Sequence, residues 1–302
     1  MNYRRLIRSR SIRVWLLTFF SWIPDRIMLI FQYWIQTGRW LNLNNPKRYT
    51  EKIQLYKLKY RNQLMHRCTD KYEVRSYVEE KGLGMYLIPL IGVYDKVEDI
   101  NYDKLPNQFV AKTTDGGGGN QVLICKSKNQ LPEDEFRANL YSWMSAKKAK
   151  KHVGREWAYE NGYPRRIIIE EYIGLANQDL FDYKFFCFNG RVSYIYGMSD
   201  RRVGESVKLG IYDREFNKLN VSRDDERPQE IALPKPENYD IMINVADILS
   251  ADFPHVRVDL YNVDGRIYFG ELTFYDGSGY MSFTPDSFDE ELGRDFDVSQ
   301  FA

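Results

Sequence analysis

Asp259 and Glu271 are the two carboxylates best placed to act together in this chain. They sit in the stretch H-V-R-V-D-L-Y-N-V-D-G-R-I-Y-F-G-E-L-T at 255–273, two apolar-rich strands flanking a turn that ends in Asp264-Gly265. The loop length decides whether they meet. A two-residue loop at Asp264-Gly265 pairs position 258 with 271 and sends the acids to opposite faces. A three-residue loop over 263–265, with Gly265 left-handed as a bulge, pairs 257 with 271. Arg257, Asp259, Phe269 and Glu271 then share a face, and the acids are diagonal neighbours roughly 7–8 Å apart at Cα. Carboxylates that close can hold one or two hard cations. An ordinary hairpin with a charged outer face fits the same residues.

Other groups suited to polyphosphate chemistry stand upstream. Lys112 ends the strand-like run Q-F-V-A-K, and Thr113-Thr114-Asp115 leads from it into Gly116, Gly117, Gly118 and Gly119 before a second strand at 122–125. Glycines let backbone N–H groups approach an anion closely. No G-K-[ST] closes the run and no helix follows, so it is not a Walker A loop; a surface hairpin reads the same. Lys71 and Arg75, four apart, project from one side of a helix. The strand at 166–173 ends in Glu170-Glu171-Tyr172-Ile173. Lys184 follows Asp182 at the start of a hairpin whose turn, Asn189-Gly190, is the favoured two-residue type.

The elements that must position these groups are legible in outline. The pattern predicts a helix over 49–60 with Ile53, Tyr56 and Tyr60 along one stripe. Another begins at Asp70, capped with Glu73, carries Val74, Tyr77 and Val78 inward, and closes at Gly82. Strands are expected at 87–93, 108–112, 122–125, 166–173, 183–188 and 191–196, and a helix at 237–250. Residues 12–37 read as two short amphipathic helices rich in Trp, Phe and Arg. They suit a membrane surface, with contact through residues 1–40, or packing on the protein's own core. The apolar run 14–23 is too short to cross a bilayer.

Composition bounds the class. The chain has 302 residues, 43% hydrophobic and 28% charged, with a net charge of +1. Those are the values of a folded protein and argue against a general nucleic-acid binder. The balance hides an asymmetry, because residues 1–48 hold nine Lys or Arg against Asp25 alone. Cys68, Cys125 and Cys187 are scattered and odd in number, which points to a reducing, cytoplasmic compartment. With three histidines and no Cys cluster, zinc is not expected.

Taken in order, the pieces resemble the ATP-grasp fold, and in detail its TupA-like branch, found in gene clusters for bacterial surface polysaccharide and teichuronopeptide. The resemblance rests on N-P-K-R-Y-T-E-K-I-Q at 45–54, D-K-Y-E-V-R at 70–75, F-V-A-K-T-T-D-G-G-G-G-N at 109–120 and R-E-W-A-Y at 155–159. It continues with I-I-E-E-Y-I at 168–173, D-Y-K-F-F-C-F-N-G at 182–190, R-V-D-L-Y at 257–261 and F-G-E-L-T-F-Y at 269–275. It covers roughly residues 40–295.

The resemblance implies an α+β chain: a basic helical segment at 1–48, then two ATP-grasp subdomains at 49–165 and 166–302 with ATP between them. Lys71 and Lys112 would contact ATP phosphates under the glycine loop. Glu170, Glu171 and the backbone of Tyr172 and Ile173 would meet the adenine edge. Lys184 would face the phosphates or the acid substrate, with Asp182 positioning it or meeting the ribose. Asp259 and Glu271 match magnesium ligands, with Thr273 standing where the family commonly has Asn. Arg257 matches the arginine that stabilises an acyl phosphate. Arg201, Arg202 and Lys208 are the expected acid-substrate contacts. The implied activity joins a carboxylate to an amine, the partners being a polysaccharide or a nucleotide- or lipid-linked sugar acid and an amine donor. A glycosyltransferase, a phosphotransferase or a non-catalytic ATP-binding scaffold are the alternatives.

Overall fold

The computed structural model describes residues 20–117, 121–146, 153–160, 162–174, 181–199 and 208–301. Four helices come first: α1 (Asp25–Thr37), α2 (Tyr49–Lys59), α3 (Leu64–Thr69) and α4 (Glu73–Glu80). α2 starts where the Glu51 carboxylate accepts the Lys47 and Arg48 N–H groups, at 2.9 and 3.1 Å. It is buried on more sides than its predicted stripe, because Gln54, Leu55 and Lys57 are inside along with Ile53 and Tyr56. Asp70 caps α4 as expected, taking the Tyr72 and Glu73 N–H groups at 2.9 and 3.0 Å, and the left-handed Gly82 follows its end.

A four-stranded antiparallel sheet comes next, in the order β1 (Leu90–Tyr94), β4 (Ile167–Glu171), β2 (Phe109–Thr113), β3 (Val122–Cys125). Helix α5 (Glu133–Ser145) covers it with Phe136 and Leu140, which pack on Phe109, Ala111 and Ile169. Each buried large side chain contributes roughly 1.5–3 kcal/mol, enough in sum for this small body to own a core.

The larger sheet runs β11 (Arg266–Thr273), β10 (His255–Val263), β5 (Phe181–Phe188), β6 (Arg191–Ser199), β7 (Lys208–Asp213), β9 (Arg227–Pro228). Helix α6 (Tyr239–Ser250) lies on one face, over Phe185, Cys187, Val256 and Val258. The short β8 (Ser222–Arg223) pairs with β12 (Phe283–Thr284), and α7 (Ser287–Asp295) follows.

Two boundaries differ from the expected division. β4 is hydrogen-bonded between β1 and β2, so the small sheet extends to Glu171 and is not cut at 165/166. Residues 49–87 also join the other body: Tyr49, Ile53, Tyr56, Met65 and Tyr77 share one core with Phe186, Phe188 and Phe296. Their inward aromatics find area only on the larger sheet. The bodies touch where Leu87 bridges to Phe269 of β11. Among the described residues, no helix is long and apolar enough to cross a membrane.

Candidate active site

Alternation along β10 puts Val256, Val258 and Leu260 against the core and Arg257 and Asp259 on the opposite face. Asp259 stands opposite Lys184 of β5, so Asp182 and Lys184 join that face. The β10–β11 turn differs from the expected one. Asp264 and Gly265 are both left-handed, with φ of 48° and 78°, and Val263 pairs directly with Arg266, which makes a two-residue loop. The extra residue lies further along, at Gly270, where the register shifts between Asp259 and Leu260. This bulge performs the task expected of a three-residue loop. It places Glu271 directly opposite Asp259, and Thr273 opposite Arg257, where the expected register had 271 facing 257.

Asp259 is the hub. Arg257 grips it with both arms of its fork, Nε to Oδ1 and Nη2 to Oδ2, each at 2.7 Å. Lys184 Nζ lies 2.5 Å from the same Oδ2 and 2.8 Å from Asp182. Burial alone would raise the Asp259 pKa; Arg257 and then Lys184 outweigh it, so the carboxyl stays below the usual carboxylate range. Burial pulls the Lys184 ammonium down, but Asp182 and Asp259 hold it above an ordinary lysine. Arg257 also donates through Nη1 to Asp276 and through Nη2 to Thr273 Oγ1 at 3.1 Å, and Nη2 stands 3.6 Å from Glu271 Oε1. The Glu271 side chain is 48% exposed, which makes it the open carboxylate of the group.

The small sheet supplies the facing wall. Lys112 Nζ is 2.6 Å from Glu170 Oε2, and Arg75 Nη1 is 3.1 Å from Oε1. Both Glu170 oxygens therefore serve cations, and the side chain is buried between them. Glu171 is exposed, its N–H bound to Pro89 O at 3.0 Å, and β4 ends there, with Tyr172 and Ile173 beyond it. Lys71 N–H donates to Thr114 O at 2.9 Å, and its ammonium to Gly116 O. Burial depresses the Lys71 pKa, the Glu271 charge opposes that, and Lys112 reinforces it. One lysine thus senses carboxylate and cation from both sheets, so the walls face each other. At Gly116 a Cβ would fall 2.6 Å from Thr113 Oγ1 and would displace that hydroxyl from Gln121, whereas at Gly117 a Cβ would meet nothing within 4 Å. Gly118 and Gly119 lie outside the described residues, as do Arg201 and Arg202. Lys208 opens β7 opposite Ser199, two strands beyond β5, and is not brought into this cluster.

Sequence reasoning missed the support behind Arg257. Asp276, buried, sits between Arg257 and Arg223, whose Nη1 is 3.6 Å away. It opens the turn Asp276-Gly277-Ser278-Gly279, in which the last three residues are left-handed (φ 50°, 56° and 64°). Gln54 donates to the Ser278 and Gly279 carbonyls at 3.1 and 2.9 Å. Lys57 donates to Ser278 O at 2.9 Å and stands 3.8 Å from Glu156, which accepts from the Ser278 hydroxyl. Burial pulls the Lys57 ammonium down to about 8 against the opposing charge of Glu156. The available signal was D-G-S-G directly after the last long strand; Lys57 and Glu156 carried none.

The TupA-like ATPgrasp family matches residues 51–297 of this chain. Among solved structures, it is similar to D-alanine–D-alanine ligase from Bacillus anthracis at 21% identity, covering 68% of this chain and 57% of that one, with a TM-score of 0.42. An L-amino acid ligase from Bacillus licheniformis matches at 15% identity over 70% and 42% of the two chains, TM-score 0.41. A biotin carboxylase–ATP-analogue complex from Campylobacter jejuni matches at 14% over 76% and 46%, TM-score 0.44. The chain spans about half the length of these solved enzymes. No curated protein matches it.

Proposed function

This chain belongs to the TupA-like ATP-grasp family, and from that premise we propose that it is an ATP- and magnesium-dependent carboxylate–amine ligase of bacterial cell-surface polysaccharide synthesis. The observation that carries the reading is the bulged hairpin, which sets Glu271 opposite an Asp259 already clamped by Arg257 and Lys184, across from Lys112 and Lys71. Such a site has cations for a polyphosphate on one wall and an acid pair with an arginine on the other.

The reaction is written in two steps. A substrate carboxylate attacks the γ-phosphorus of ATP, forming an acyl phosphate and releasing ADP. An amine then attacks the acyl carbon, phosphate leaves, and the amine proton is lost to give an amide. Lys112 and Lys71 hold phosphate charge. Arg257, fixed by Asp259 and Asp276, holds the charge that builds on the transferring group without having to reorganise. Among the described residues no group of three or more His, Cys, Asp or Glu could cage a metal alone. Magnesium asks for less, taking one or two carboxylates with phosphate oxygens and waters. Glu271 and Asp259 fit that demand, with the Thr273 hydroxyl beside them, and magnesium bound there would neutralise phosphate charge.

The acid is proposed to be a sugar acid on a polysaccharide or on a nucleotide- or lipid-linked precursor, and the amine an amino acid. Purified protein with Mg-ATP, a uronic acid and amino acids should release ADP only when acid and amine are both present. Glu271→Ala should lower that rate by about 10²-fold or more at an unchanged thermal midpoint. Consumption of a nucleotide sugar without ATP turnover would overturn the reading in favour of group transfer.

A further inference from the structure

The outer face of α1 is apolar where a surface helix is ordinarily polar. Met28, Leu29 and Tyr33 are buried on its inner side. On the outer side Ile27, Phe31 and Trp34 follow at spacings of four and three, and are 59%, 55% and 44% exposed. Trp40, 75% exposed, stacks on Trp34 with ring centroids 5.9 Å apart, and Trp22, also 75% exposed, stands just ahead of the helix. A helix apolar on both sides has something to cover the second side.

We propose that this face docks on an anionic lipid bilayer. Charge selects that occupant. The nineteen residues before the described chain carry Arg4, Arg5, Arg8, Arg10 and Arg13 and no acid. The one carboxylate in α1, Asp25, stands 3.5 Å from Arg155, and Arg26 has no carboxylate within ion-pair distance among the described residues. Two copies meeting through this face would bring together five arginines apiece with no opposing carboxylate in those stretches, whereas anionic headgroups attract them. Tryptophan with basic residues is the side-chain mixture of the membrane–water interface. The docking is in the plane of the surface: thirteen residues of helix span about 20 Å, short of the roughly 30 Å hydrocarbon core. The inference stands whether or not the ligase reading holds; if both do, the enzyme sits where a lipid-borne acid would be presented.

The test uses the full chain with vesicles of phosphatidylcholine, with and without phosphatidylglycerol, read by co-sedimentation. The expected result is binding only to the phosphatidylglycerol vesicles, weaker at high salt. Phe31→Glu/Trp34→Glu should reduce it about tenfold or more at unchanged thermal midpoint. Trp22→Ser, outside the helix, should give a smaller loss and guards against an effect on folding. Equal binding by the double variant and the parent overturns the proposal. So does absence of binding by the full chain, as when residues 1–19 cover α1 themselves, or a concentration-dependent dimer that the double variant dissociates.

Discussion

His255 opens β10 with its ring fully buried, stacked on Phe188 at 4.7 Å. Its Nδ1–H donates to Cys187 O and its Nε2 accepts the Tyr49 hydroxyl, both at 2.9 Å. Burial holds the imidazole pKa down to about 4, below its ordinary 6.5. The folded chain therefore refuses a proton that the unfolded chain accepts. Stability falls as pH drops from 6.5 to about 4, by up to about 3 kcal/mol, and this loss is complete below pH 4. The expected outcome is a lower urea midpoint at pH 4.5 than at pH 7, with a smaller difference in His255→Phe, whose ring takes no proton. Residues of this kind were hard to read from sequence: His255, Lys57 and Asp276 became notable only through burial and partners far along the chain. Lys112, Lys184, Arg257, Asp259 and Glu271 were legible because charged residues in apolar strand patterns stand out.

Among the elements, α4 followed its hydrophobic period with Val74, Tyr77 and Val78 inside, and the Asn189-Gly190 turn took the form its dipeptide requires, both residues being left-handed. The β10–β11 hairpin shows where such reading stops. That Asp259 and Glu271 share a face was anticipated, yet the device is a bulge at Gly270 rather than at the turn. Pairing energies over four further residue pairs, and not the turn dipeptide, decide where an extra residue is expelled. Glycine suits that place: a Cβ at Gly270 would lie 3.0 Å from Asp259 O and 3.2 Å from the Tyr261 ring. Gly270→Val is expected to cost about 1–3 kcal/mol in urea unfolding. ADP release per folded molecule should fall as well, since Glu271 is carried with the strain; a variant destabilised yet fully active would break the link between bulge and site.

At the scale of the whole molecule, the resemblance implied two subdomains, but not which strands and helices pack together. Nothing in the order of motifs reveals that α2, α3 and α4 pack on the larger sheet while β4 belongs to the smaller one, because strand partners are chosen by tertiary packing. The consequence of one such arrangement is a shared account between two binding events. The segment after α5 returns past Glu156, which meets Ser278, whose turn begins with Asp276 on Arg257. Ligands held by Lys112 and Lys71 and by Arg257 would lie in one cleft, and any factor by which one changes the other's affinity is equal in both directions. ADP affinity measured calorimetrically should rise about fivefold or more when a uronic acid is present, and uronic acid affinity should rise equally with ADP. Glu156→Gln, which loosens the turn that carries Asp276 beside Arg257, should bring the factor toward one while each ligand still binds alone; a factor of one in the parent would show the two ligands to be energetically independent.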